Sequence, residues 1–291
     1  MAVDLRHFRS FVAVAEEVTI GRAAERLFIT QPALSRQMQQ LEREVGEPLL
    51  VRVHHGVELT EARREFLEKA RVTIGAADDA LDVGQPTQPH GRLILGLPLA
   101  GGRQRWFAVT QAFVERYPAV EVETRQALSE QLQRQVLERE ADGAIAVAPN
   151  PLPGLTYTHL MNDRISVYLH RSHRLAGRPE LSLSDLVGET ITLLGGPAGR
   201  NSGFNNAIQA LFEGTGAEPR FAETEQIFPP EAASEENHVS VSVPVDYPDG
   251  AVVSVPLVPP RTLPFEFVQR VETNRAAVRA YARFAAEHLS K

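Results

Sequence analysis

The chain has 291 residues, 43% hydrophobic and 23% charged, a composition that suits an ordinary globular protein of two domains. It holds no cysteine, which excludes disulfides, thiolate metal sites and a thiol nucleophile. No apolar run approaches the roughly 18 residues that span a bilayer, and the net charge of −7 lies wholly beyond residue 72, because residues 1–72 balance eleven basic against eleven acidic side chains.

The opening MAVDLRHFRSF lacks the charged-then-apolar pattern of a secretion leader, so a cytoplasmic location is expected. Leu5, Phe8, Val12 and Ala15, with Phe11 beside them, predict an amphipathic helix with one apolar stripe. Thr19 caps a second short helix carrying Ala23, Ala24 and Leu27, and Phe28–Ile29 form a tight turn. Thr30 caps a third helix with Pro32 in its first turn, where a missing N–H costs nothing. Leu34, Met38, Leu41 and Val45 form its inner face, and Gly46 ends it.

Two short extended runs, 49–52 and 57–60, joined through Val53-His54-His55-Gly56, predict a small hairpin wing. A long helix follows from Thr60, with Phe66, Ala70, Ile74, Ala77 and Leu81 on one side, a seam suited to pairing with a second copy. The stretch GQPTQPHG then breaks the pattern as a hinge. Beyond it, strands at 92–97, 120–124 and 143–148 alternate with helices at 106–116 and 130–140, which predicts a parallel sheet with helices on both faces. Further strands near 165–169, 191–194, 239–243 and 252–255, with a helix near 205–212, suggest a second such unit; a strand at 265–271 and a helix at 275–289, capped by Asn274, close the chain.

The segment AAERLFITQPALSRQMQQLEREVGEPLL (23–50) strongly resembles the LysR family of transcriptional regulators, and the match extends through GVELTEARREFLEKA (56–70). Looser similarity continues through AFVERYPAVEVE, ADGAIAVAP and HRSHRLAGRPELSLSDLVGE. The resemblance implies an all-α winged helix-turn-helix at 1–60, a linker and dimerisation helix at 61–84, a hinge at 85–91, and an α/β effector domain resembling periplasmic binding proteins. Its two subdomains would be 92–163 with 265–291, and 164–264. It also implies double-stranded promoter DNA, further copies of the chain in a dimer or homotetramer, a small-molecule effector, and RNA polymerase as partners.

The third helix carries the expected DNA chemistry. Gln31, Ser35, Arg36 and Gln39 share one side, Pro32 and Ala33 offer small apolar surface to a thymine methyl, and Thr30 with nearby N–H groups suits a phosphate. Arg36 matches the two acceptors of guanine, and Gln31 or Gln39 the donor and acceptor of adenine. At the wing, Arg52, His54 and His55 stand where the resembling family commonly offers an arginine to the minor groove. Adjacent histidines on an extended turn point apart, so no metal site is expected.

Ligands of open α/β sheets sit at the carboxyl ends of strands. That rule selects Leu99, Ala100 and Gly101 after the first strand, Ser129 after the second, and Arg200, Asn201 and Ser202 in a glycine-rich loop as effector-binding candidates. The family's hydroxyl after the first strand is absent here, and 225–243 is shorter than usual, which points to an altered pocket. The rival reading is a two-lobed small-molecule binding protein or an enzyme without a DNA role. The first requires a leader; for the second no Gly-x-Ser-x-Gly elbow, His-Glu-x-x-His or dinucleotide fingerprint is present, so neither catalysis nor a cofactor is expected.

Overall fold

The computed structural model describes residues 3–17, 19–53, 56–58, 61–82, 89–195, 202–224, 238–245, 251–273 and 275–289. The chain divides into two compact units, Met1–Pro86 and Thr87–Lys291. In the first, α1 (Leu5–Glu17), α2 (Ile20–Arg26) and α3 (Gln31–Val45) precede a two-stranded wing, β1 (Val51–Val53) and β2 (Gly56–Glu58), and then α4 (Glu61–Asp82). The wing is antiparallel, Val51 opposite Glu58 and Val53 opposite Gly56.

The buried stripe of α1 is rotated from the expected one. Phe11, Ala13 and Val14 are buried with His7 and Ser10, whereas Leu5, Phe8, Val12 and Ala15 are only half-buried. The reason is that α1 packs against α2, α3 and α4 together, so a wider face is covered than one apolar stripe indicates. Leu34, Met38 and Leu41 of α3 meet this face in a core with Ala23, Ala24, Leu49, Leu67 and Ala70.

The second unit begins with β3 (Gly91–Pro98), α5 (Arg103–Arg116), β4 (Val120–Ala127), α6 (Ser129–Leu137) and β5 (Gly143–Val147). Then come β6 (Leu155–Arg164), β7 (Ser166–His170), β8 (Thr190–Leu194), α7 (Gly203–Ala210) and β9 (Arg220–Thr224). The remainder is β10 (His238–Ser242), β11 (Val252–Pro256), β12 (Thr262–Arg270) and α8 (Ala276–Leu289). Two five-stranded sheets result, β4-β3-β5-β12-β6 in one lobe and β11-β7-β10-β8-β9 in the other.

Both sheets are mixed, which corrects the expectation of parallel ones. β3, β4 and β5 are parallel, but β12 runs antiparallel to β5 and β6. In the second lobe β8, β9 and β10 are parallel, while β7 is antiparallel to β10 and β11. The chain crosses between lobes twice, at β6–β7 and β11–β12, and the two crossings are tied by Ile165 N–H to Arg261 O at 2.8 Å. The first-lobe core gathers Trp106, Phe113, Phe265, Phe267 and Tyr281, all fully buried. The Tyr281 hydroxyl lies 2.9 Å from Thr110 Oγ1, and burial pushes its pKa well above the ordinary value despite that bond.

Candidate nucleic-acid interface and effector cleft

Helix α3, expected to carry the DNA contacts, is built by local rules. Thr30 Oγ1 accepts the Ala33 N–H at 3.4 Å, Pro32 sits in the first turn, and Gly46 closes the helix at φ 84°, donating its N–H to Glu42 O at 2.9 Å. Burial of Leu34, Met38 and Leu41 leaves Gln31, Pro32, Arg36 and Gln39 exposed, with Ala33 and Ser35 half-buried at the margin. Arg36 makes no ion pair with the described residues, so its guanidinium remains uncommitted.

Three supports of this helix were not singled out in the sequence. Ser10 Oγ donates to Gln37 Oε1, tying α3 to α1. Glu42 Oε1 accepts the Leu49 and Leu50 N–H groups at 2.8 and 3.1 Å, fixing where the chain leaves toward the wing. Glu16 receives Arg26 of α2 at 2.8 Å and Arg71 of α4 at 3.4 Å, so one half-buried carboxylate joins α1, α2 and α4 around the core on which α3 packs. Each tie joins residues distant in sequence, and the spacing of polar and charged side chains along the chain does not reveal such partners.

At the wing, Arg52 lies on β1, its side chain not among those described, and His54 and His55 lie outside the described residues. The expected seam of α4 divides. Phe66 stacks on Phe8 at 6.0 Å and meets Phe11 edge-on at 5.2 Å, and Ala70 is fully buried, so both face α1 of their own chain. Ile74 and Ala77 are half-buried, and Leu81 lies on α4 with a side chain outside the described set. An apolar stripe less buried than these, Val72, Ala76 and Ala80, runs along the same helix at spacings of four.

In the second unit the effector candidates meet near the join of the two lobes, but the fold already uses most of their polar groups. Gly101, at φ 87°, donates its N–H to Pro244 O of the other lobe at 2.8 Å. A Cβ there would collide with Phe265 and Trp106. The Ala100 carbonyl accepts Trp106 Nε1 at 2.9 Å, and Leu99 and Ala100 are half-buried. Ser129 Oγ accepts the Val147 N–H at 2.9 Å and lies 3.2 Å from its carbonyl as donor. Ser202 is buried and caps α7, while Asn205 clamps the Leu194 N–H and C=O at 3.1 and 2.8 Å. Arg200 and Asn201 lie outside the described residues.

A second contact joins the lobes. Gly203, first residue of α7, lies so near the Ala148 carbonyl and Asn150 amide of the first lobe that a Cβ would overlap both. The Tyr168 hydroxyl, donating to Val243 O at 3.3 Å and accepting Val245 N–H at 3.1 Å, holds the turn that carries Pro244. Among the described residues no cluster of three or more His, Asp or Glu could hold a metal ion, and no helix is long and apolar enough to cross a membrane.

Comparison with known proteins places this architecture. Residues 5–62 match the family model of the bacterial regulatory helix-turn-helix protein, lysR family, and residues 86–228 that of the LysR substrate binding domain. The regulator TcbR of Pseudomonas sp. strain P51 is 30% identical over 235 residues, 76% of this chain and 75% of its own length. The chain belongs to the LysR family. BudR of Raoultella terrigena is 37% identical over 188 residues, and the match to this LysR-family chain spans 65% of BudR's length and 63% of the chain. Among solved structures, a full-length OxyR point variant from Pseudomonas aeruginosa superposes at TM-score 0.69 with 20% identity, covering 98% of this chain and 95% of that one. CbnR complexed with its target DNA superposes at 0.64 with 23% identity, covering 98% and 99%. These two likenesses show that the LysR fold extends over both units. The substrate-domain match ends at residue 228, inside the 225–243 segment that the sequence reading expected to differ from the family.

Proposed function

We propose that the protein is a sequence-specific DNA-binding transcriptional regulator whose promoter binding responds to a small molecule held by its second unit. The observation that carries this reading is the division of α3, whose one face is buried while Gln31, Arg36 and Gln39 stand free on the other. Side chains of these types at the start of a recognition helix match the donor and acceptor pattern of the major groove. The neutral balance of residues 1–72 means that affinity must come from placed arginines and helix N-termini rather than bulk charge.

Self-association through the part of α4 beyond Ala70 would set two recognition helices on successive major grooves, about 34 Å apart. Further association of the second units into a tetramer, contact with RNA polymerase and a cytoplasmic location belong to the same reading. The effector would act at the join of the lobes, where Leu99–Gly101, Ser129 and Ser202–Gly203 converge. A ligand shifts promoter occupancy only by binding one assembly better than another.

The experiment is selection of genomic fragments at several salt concentrations by the wild-type chain and by Arg36→Ala. Enrichment of a near-palindromic site by the wild type and not by the variant supports the reading; equal, unselective retention of fragments by both overturns it.

A further inference from the structure

Among the described residues Phe28 is the most exposed of the large hydrophobic side chains, at 96%, and it stands at φ 54°, a backbone region that bulky residues rarely enter. It is the apex of the turn between α2 and α3. Hydrogen bonds from Phe28 N–H to Glu25 O and from Ile29 N–H to Ala24 O, both 3.0 Å, lock that turn. Leu27 and Ile29 on either side pack against the core, which leaves Phe28 alone pointing outward. Glycine or asparagine would suit this backbone without strain and without an apolar ring in water. Neither folding nor solubility therefore accounts for phenylalanine here.

The position suggests what does. Phe28 comes two residues before Thr30, the cap of α3, and three before Gln31, the first exposed residue of the recognition face. Pro32, in the first turn of α3, is also exposed. We propose that Phe28 is a DNA contact, its ring lying against a thymine methyl or the apolar edge of a deoxyribose beside the bases that α3 reads. This inference rests on the DNA-binding reading above. A ring against a methyl or a sugar displaces no counterion, so the contact adds affinity without adding to the salt dependence, unlike a phosphate contact.

The test uses the full chain and the duplex that the wild type selects. Phe28→Gly relieves the backbone strain, so its thermal midpoint should equal or exceed that of the wild type. Its affinity for the selected site should fall roughly tenfold, with the slope of log affinity against log salt unchanged. Phe28→Tyr, which keeps the ring, should bind as the wild type does. Should Phe28→Gly unfold the first unit, Phe28→Asn, also at home at positive φ, carries the same comparison. Wild-type affinity in the folded Gly or Asn variant overturns the inference, and so does unchanged binding with lost transcription in a promoter-reporter strain, which would give the ring to a protein partner. A wild type that selects no site overturns the DNA-binding reading itself, a result distinguishable from either.

Discussion

At the scale of single residues, Arg36 and Ser129 illustrate two fates of a polar group. Arg36 stands exposed on α3 with no ion pair among the described residues, free to engage a base. Replacing it with alanine should cost about 1–3 kcal/mol of discrimination between the selected site and a random duplex. Competition binding measures this directly; an unchanged ratio would remove Arg36 from base recognition. Ser129, by contrast, is consumed by the Val147 backbone inside the first lobe. Ser129→Ala leaves a buried N–H and C=O without that partner and should destabilise the second unit by about 1–3 kcal/mol in urea unfolding. In the sequence both residues read alike, as polar side chains at expected sites. What separates them is whether the fold has already supplied a hydrogen-bond partner.

At the scale of elements, α4 decides between two partners along its length. Its first half is buried on α1 through Phe66, Leu67 and Ala70; its second half is less covered. Ala70→Asp should therefore unfold the first unit, because a carboxylate would be buried there without a partner. Ala77→Asp should leave the first unit folded and reduce the mass seen by light scattering. If Ala77→Asp keeps the wild-type mass, α4 is not the self-association surface. The helical elements were legible because caps and apolar periodicity are local: Thr30, Pro32 and Gly46 bracket α3 within one residue of its observed ends. The strands β6 and β9 were not foreseen. Both lie at sheet edges with few buried side chains, so they lack the apolar alternation that announces a strand.

At the scale of the whole molecule, two backbone contacts hold the lobes of the second unit together, Gly101 to Pro244 and Gly203 to Ala148. Gly203→Ala inserts a methyl where α7 meets the Ala148 carbonyl. Ala148 is anchored by its own N–H bond to Pro264 O at 2.8 Å, so movement of α7 and its lobe away from the first lobe is the expected relief. The absence of cysteine allows spin labels at Gln111→Cys and Gln209→Cys, both exposed positions in different lobes. Their distance distribution should lengthen or broaden in Gly203→Ala and stay at the wild-type value in Gly177→Ala, whose Cβ meets nothing within 4 Å. An unaltered distribution in Gly203→Ala would show that this contact does not hold the lobes.

The sequence alone determined the helix-turn-helix, the exposed polar face of α3 and the alternation of strands and helices from residue 91 to residue 147. Each depends on neighbours within about four positions: a cap, a turn, a stripe of apolar side chains. Only the tertiary structure decided that Phe66 and Ala70 serve their own chain, that the sheets are mixed, and that Ser129 and Gly101 are engaged within the fold. Those outcomes depend on which groups meet across long stretches of chain. A hydroxyl or a helix face carries the same letter whether its partner is a distant strand, a second copy or a ligand, so contact geometry had to settle it.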